Sequence, residues 1–263
     1  MPTLPDCHAH LDRFGNRAGG LVEEAARAGV APIVTVGMDV ASSQAAVTLA
    51  NELPNVLAAV GLHPWYVAEQ YDGTESLEPY RGVAADSAVA AVSEVGFDST
   101  IEVPLDEQRE LVRWFVGLAQ ERELPLILHH RAEASTLVEL WRTIKGRLPR
   151  VAIHGFAGDA DSARAFLGES FQLSIGPSSL GMVGDWCMDD ETLRLIPQDR
   201  LLVDSDAFVA AMGWPETHPS IVNDVLDRVA RVRGDDPAAL RAAVAQNFDR
   251  LLGGDRKPAL EHA

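Results

Sequence analysis

The chain has 263 residues, 47% of them hydrophobic, which is enough for one large core and too short for two comfortable enzymatic domains. Its 22 Lys and Arg stand against 39 Asp and Glu, a formal net charge of -17, and a surface of that sign repels a polyanion unless cations intervene. That charge argues against broad, sequence-independent duplex binding.

Cys7 and Cys187 form neither a disulfide framework nor a CxxC metal pair, which fits a reducing, cytoplasmic setting. The start Met1-Pro2-Thr3-Leu4-Pro5-Asp6 lacks the basic and apolar pattern of a signal peptide, and no apolar run approaches the roughly 18–20 residues of a membrane helix. A cytoplasmic protein with no membrane span is expected.

Short runs rich in Val, Ile, Leu and Ala alternate with longer amphipathic segments from end to end, the pattern of βα units feeding a parallel sheet. The strand-like runs are 4–10, 32–37, 56–63, 89–96, 125–130, 151–156, 171–176 and 200–206. Helices intervene, for example at 106–123, where Leu111, Phe115, Leu118 and Ala119 recur at helical spacing, and at 133–145. Eight strands fit a closed (β/α)8 TIM barrel better than an open doubly wound sheet. A further C-terminal helix, 237–252, carries Leu240, Val244, Phe248 and Leu251 on one stripe and should pack on the outside. The expected organisation is a single barrel domain over 1–263. The longest irregular stretch, 176–189, follows the seventh strand on the face where barrel active sites lie.

The residues that carry chemistry fall where the apolar runs end. His8 and His10, two apart on a strand, face the same way and converge on one divalent cation. An inward pair of this kind, in an interior otherwise made of Val, Ile and Leu, is costly unless something binds it. Glu94 closes Ala90-Ala91-Val92-Ser93. A lone buried carboxylate is expensive, whereas one that bridges two cations is stabilised by both. Asp98, two residues on, reads as a turn or helix-cap group. His129 and His154 are the first polar residues of two consecutive buried strands, while His130 should point the other way and is left out of the site. Asp206, nearer the strand end than Asp204, is the candidate for metal ligand and for deprotonating an attacking water, with Asp204 as deeper support. His63 and Arg131 are placed to hold an anionic substrate oxygen, Arg131 through its bidentate fork. Trp65 could stack a base or belong to the core.

In order and in type these segments resemble the TatD-type metal-dependent hydrolases and deoxyribonucleases of the amidohydrolase superfamily. Asp6-x-His8-x-His10-Leu11-Asp12 resembles the family's opening motif, Gly61-Leu62-His63-Pro64 its second, and Ser93-Glu94-Val95-Gly96-Phe97-Asp98 its glutamate motif. The segments at 124–132 and His154-Gly155-Phe156-Ala157-Gly158 are similar to the single-histidine motifs, 196–207 to the closing block, and Asn247-Phe248-Asp249-Arg250-Leu251-Leu252 to the C-terminal helix signature. The resemblance spans roughly residues 4 to 252. It implies a TIM barrel and the ligand set His8, His10, Glu94, His129, His154 and Asp206, with Glu94 bridging. The chain departs from the family at Asp204-Ser205-Asp206, where Glu-Thr-Asp is usual. An expected downstream Arg-Asn pair is also absent, with His218-Pro219 in that region.

Two divalent ions, Mg, Mn or Zn, are therefore expected as cofactors, the imidazoles favouring the softer metals and phosphoryl substrates favouring Mg. Such a pair lowers the pKa of a bound water toward about 7 and clamps attacking and leaving oxygens. The leading expectation is a deoxyribonuclease of 3'-5' exonuclease type acting on single-stranded DNA ends, in which Asp206 and Glu94 are catalytic and His63 and Arg131 bind substrate. A small-molecule amidase, esterase or lactonase taking a small anionic substrate is the alternative, since fold does not fix substrate. A non-enzymatic metal-binding interaction protein is a third reading.

Overall fold

The computed structural model describes residues 2–184, 186–210 and 214–254; the last residues of the expected 1–263 domain lie outside them. Its strands are β1 (Leu4–Ala9), β2 (Val30–Val36), β3 (Val56–Val60), β4 (Val89–Val92), β5 (Gly96–Asp98), β6 (Leu126–Arg131), β7 (Val151–Ile153), β8 (Gln172–Ile175) and β9 (Leu201–Val203). The helices, in chain order, are α1 (Ala18–Arg27), α2 (Val40–Glu52), α3 (Val67–Gln70), α4 (Glu78–Val83), α5 (Leu105–Arg122), α6 (Ala134–Thr143), α7 (Ala160–Gly168), α8 (Asp190–Leu195), α9 (Val222–Arg233) and α10 (Pro237–Leu252). Every strand pair is parallel, in the order β1-β2-β3-β4-β6-β7-β8-β9, because each strand is followed by a segment that returns the chain to the same end of the sheet. The sheet closes just beyond β9, where Ala207 bridges Ala9 and the Asp206 N–H donates to His8 O at 3.0 Å. The fold is the (β/α)8 barrel.

The expected fourth strand, 89–96, is two pieces. β4 pairs with β6 at Val92, the chain leaves the ladder at Ser93-Glu94-Val95, and β5 rejoins β6 at Gly96 opposite His129. A Cβ on Gly96 would stand 1.7 Å from His129 O, so no side chain fits there. Several other strands end short of their expected limits, β3 at Val60 and β9 at Val203, so His63 and Asp206 stand on the loops above the sheet.

Two buried clusters follow from strand alternation. Leu126, Leu128, Val151, Ile153, Leu201 and Val203 face outward into the layer shared with the helices. Their neighbours Ile127, Ala152 and Leu202 face inward with Val34, Ala59 and Ala91. Two residues further along the same inward faces come His129, His154 and Asp204. The helices begin where short polar side chains cap them: Asp39 forms a capping box with Ser42 before α2, and Asp159, Asp189 and Asp236 cap α7, α8 and α10. Among the described residues, no helix is long and apolar enough to cross a membrane.

The helix α10 matches the expected limits, but it lies against the N-terminal ends of the strands. Its Phe248, Leu251 and Leu252 join the barrel-interior cluster, and Asn247, 1% exposed, donates to Gln198 O and Leu201 O at 2.7 Å each. Asn247→Ala strands two carbonyls at the base of the barrel. It should lower stability by about 1–3 kcal/mol, read as a fall of roughly 2–4 °C in melting temperature per kcal/mol, with the metal site unaffected.

Candidate metal centre

At the C-terminal ends of the strands a single carboxylate sits inside a ring of imidazoles. Glu94 is 3% exposed. Its Oε2 lies 3.5 Å from His8 Nε2 and 3.3 Å from His10 Nε2. Its Oε1 lies 3.4 Å from His63 Nε2, 3.6 Å from His129 Nδ1 and 3.0 Å from His154 Nε2. The two oxygens thus serve two separate groups of nitrogens. Asp206 Oδ1 approaches from the mouth, 3.5 Å from His10 Nε2 and 3.9 Å from His8 Nε2.

The break between β4 and β5 takes Glu94 out of the ladder at the height of the histidines. His8 and His10 converge to 3.4 Å between Nε2 atoms although β1 does not keep one register with β2, its pairing shifting on either side of Asp6. Asp6 ties β1 to the residues after β9, accepting from Ser205 N at 2.9 Å and from Ser205 Oγ at 2.5 Å. Asp206 holds a left-handed backbone, φ 44°, which costs about 1 kcal/mol for a non-glycine residue. Its N–H bond to His8 O and the Thr217 Oγ1 bond to its carbonyl at 3.1 Å hold it there. Asp204 stays deeper, accepting from Gly155 N at 3.0 Å and so fixing the turn that follows His154.

Hydrogen bonds at the far nitrogens decide which ring atoms are free. His10 Nδ1 faces Val36 O at 3.2 Å and must donate to it, which leaves Nε2, turned toward Glu94 and Asp206, as the atom that gains or loses the second proton. His129 Nε2 faces Asp98 Oδ2 at 3.3 Å, leaving Nδ1 toward Glu94. His63 is the opposite case: its Nδ1 accepts from Trp65 N at 3.0 Å, which puts the proton on Nε2 and makes that atom a donor. The side-chain groups His8-His10-Glu94, His63-Glu94-His129 and His8-His154-Asp206 each bring their ligand atoms within 4.8 Å of one another, as a divalent cation requires. The fit is supported by what lacks a hydrogen bond among the described residues: His8 Nδ1 and His154 Nδ1 are buried without one, and His154 Nε2 and Glu94 Oε2 meet only the ion-pair contacts inside the cluster.

Burial sets the electrostatics, and the neighbours then divide the group. Burial alone would raise the Glu94 carboxyl, but His63, His8 and His10 around it hold it well below the usual range. Burial would depress His10 and His129; Glu94 with Asp206 in the first case, and Asp98 with Glu94 in the second, push each up to about 9. His154 is raised in the same way by Glu94. His8 is lowered, first by burial and then by the His154 ring stacked on it at 3.9 Å. Burial takes His63 down to about 3 against the pull of Glu94. Asp206, which burial would raise, is held low by its contacts with His10 and His154, and is ionised at neutral pH. Its side chain is 39% exposed, against 3% for Glu94.

Of the residues singled out from the sequence, His8, His10, Glu94, His129, His154 and Asp206 meet in this cluster, His63 adjoins it, and Arg131 lines the cavity above it. Edge contacts set His130 against Phe97 and Phe166 of α7. Asp98, by its sequence a turn or helix-cap group, does cap the turn through Thr100 N at 2.8 Å, but its other oxygen holds His129 and accepts from Trp65 Nε1 at 3.1 Å.

In metal-free protein His10 and His129 carry protons at pH 7. They stabilise the fold fully below the ordinary value of 6.5, and that contribution is lost as pH rises through about 9. A cation must displace these protons, so metal binding at pH 7 should release one from each ring and weaken as pH falls. Calorimetry in buffers of different ionisation enthalpy reads the release directly. Asp98→Asn, which removes the charge that orients His129, should weaken metal binding by about 10- to 100-fold, measured by titration against a chelator.

Comparison with known proteins bears on the family and the fold. The model of the TatD related DNase family matches residues 5–253. A metal-dependent hydrolase described as uncharacterized, YabD of Bacillus subtilis, is 28% identical with 95% of this chain and 98% of that protein covered. The 3'-5' ssDNA/RNA exonuclease TatD of Escherichia fergusonii is 27% identical over 92% and 95%. The crystal structure of YJJV, a TatD homolog from Escherichia coli, superposes with a TM-score of 0.82 at 24% identity, covering 94% and 97%, and bears on the fold. The match of the family model to residues 5–253 makes this chain a member of the TatD related DNase family.

Proposed function

We propose that this protein is a divalent-metal-dependent phosphodiesterase that shortens single-stranded DNA from an end, as the 3'-5' exonucleases among its relatives do. The observation that carries the reading is the division of Glu94: Oε2 faces His8 and His10, while Oε1 faces His129, His154 and His63. That is the donor set for two cations sharing one carboxylate. His8 and His10 would hold one, His129 the other, with His154 and Asp206 completing the set; Mg, Mn and Zn all remain candidates. Bound there, the ions would supply Lewis acidity, lowering the pKa of water and neutralising phosphate charge.

The chain's own residues do the rest. Asp206 is ionised and the most exposed carboxylate of the cluster, and so can take a proton from the attacking water and pass it outward. His63 stays neutral with its proton on Nε2, a donor suited to a phosphate oxygen. Arg131 offers a permanent charge at the cavity wall. The net charge of -17 is compatible with an exonuclease that grips a few nucleotides, because binding a short end needs no basic stripe.

A hydrolase of small esters, amides or lactones is the second reading, favoured by the apolar residues Met38, Val183, Phe208 and Val209 in the same cavity. We read the protein as cytoplasmic, in keeping with its two free cysteines.

The test is hydrolysis of an end-labelled single-stranded oligonucleotide by metal-stripped protein resupplied in turn with Mg, Mn and Zn. Stepwise shortening should require metal and fall by about 1,000-fold or more in Glu94→Ala and Asp206→Ala. An intact oligonucleotide beside turnover of a nitrophenyl ester would transfer the site to the second reading.

A further inference from the structure

The metal cluster accounts for the floor of the cavity and leaves its rim unexplained. Three tryptophans line it from three separate loops: Trp65 after β3, Trp186 after β8 and Trp214 after β9. Trp65 and Trp214 are 44% and 45% exposed, an unusual cost for the largest apolar side chain. None of them is loose. Trp65 is pinned through Nε1 to Asp98 at 3.1 Å. Trp186 lies under the Arg131 guanidinium, 5.0 Å from ring centroid to Cζ. The six-membered ring of Trp214 rests on Gly184, whose positive φ of 70° and lack of a Cβ let the two loops meet; an added Cβ would stand 2.9 Å from that ring.

Charge narrows what these rings are for. Arg131 is the one Lys or Arg among the described residues lining the cavity, on a chain of net charge -17. Backbone phosphates alone therefore find little to bind beyond the scissile position. Fixed indoles, two of them exposed and the third half-buried beneath the one guanidinium, supply the missing affinity to flat conjugated rings attached to a phosphate, and a stacked base gains roughly 5- to 150-fold in binding. Duplex ends keep their bases stacked on each other and cannot offer them.

We propose that Trp65, Trp186 and Trp214 form an aromatic clamp for the bases of the nucleotides flanking the cleaved bond, so that the enzyme selects single-stranded ends by base planarity with Arg131 on the adjoining phosphate. The clamp rests on the phosphodiesterase reading above.

The test compares one short single-stranded oligonucleotide, bearing an internal fluorophore, with the same oligonucleotide made abasic at its terminal nucleotides. Both binding anisotropy to metal-loaded protein and cleavage are measured. Wild type should prefer the natural ends by about tenfold or more. Trp186→Ala and Trp214→Ala should each collapse that ratio toward one, chiefly through KM, while Trp186→Phe recovers it. Gly184→Ala, which displaces Trp214 without altering an indole, should lower the ratio too. Thermal melts of each variant separate this from misfolding. Equal treatment of both oligonucleotides by a cleaving wild type, or a preference that survives the tryptophan substitutions, overturns the clamp and leaves the hydrolytic reading standing. Base-dependent binding without any cleavage would keep the clamp and remove the nuclease, and a wild type that neither binds nor cleaves would remove both.

Discussion

A carboxylate taken from water into a barrel interior loses several kcal/mol of hydration unless cations or protons replace it, and much of this molecule's architecture answers that demand at Glu94. Five imidazoles face its two oxygens, and two of them take up protons to do so. The metal-free cluster is a self-neutralising arrangement in which protons occupy the places that divalent charge would fill. Glu94 Oε2 and His154 Nε2 meet their neighbours in the cluster as ion pairs rather than as hydrogen bonds.

The supports around the cluster serve the same end. Closure of the barrel runs through Asp206 and Ala207, so the strained residue that faces the mouth is also part of the seam. Asp6 locks that seam from below through Ser205, and burial raises its carboxyl to about 8 against the pull of the serine hydrogen bonds. At the far end of the barrel α10 closes the apolar interior with Phe248 and Leu251.

Much of this was legible in the residues. Alternation along Leu126–Arg131 put Ile127 and His129 on one face and His130 on the other, and the structure turns His130 toward α7 as that pattern requires. The break at Glu94 was not legible, because 89–96 is apolar enough to pass for one continuous strand, and only the close approach of Gly96 to His129 O reveals the interruption. The tautomer of His63 depends on Trp65 N, a contact made by the turn beyond β3 and invisible to pattern. Asp98 looked like a cap because a carboxylate before Thr100 is one; that its second oxygen reaches His129 depends on the register of β5 against β6. The placement of α10 beneath the barrel likewise depends on Asn247 finding the carbonyls of Gln198 and Leu201, distant in sequence.

The most direct measurement is anomalous diffraction from crystals of the Mn- or Zn-loaded protein, collected at the metal's absorption edge. The account predicts two peaks on opposite sides of the Glu94 carboxylate, one beside His8 and His10 and the other beside His129. A single peak that leaves one Glu94 oxygen bare, or peaks away from Glu94 altogether, would contradict it.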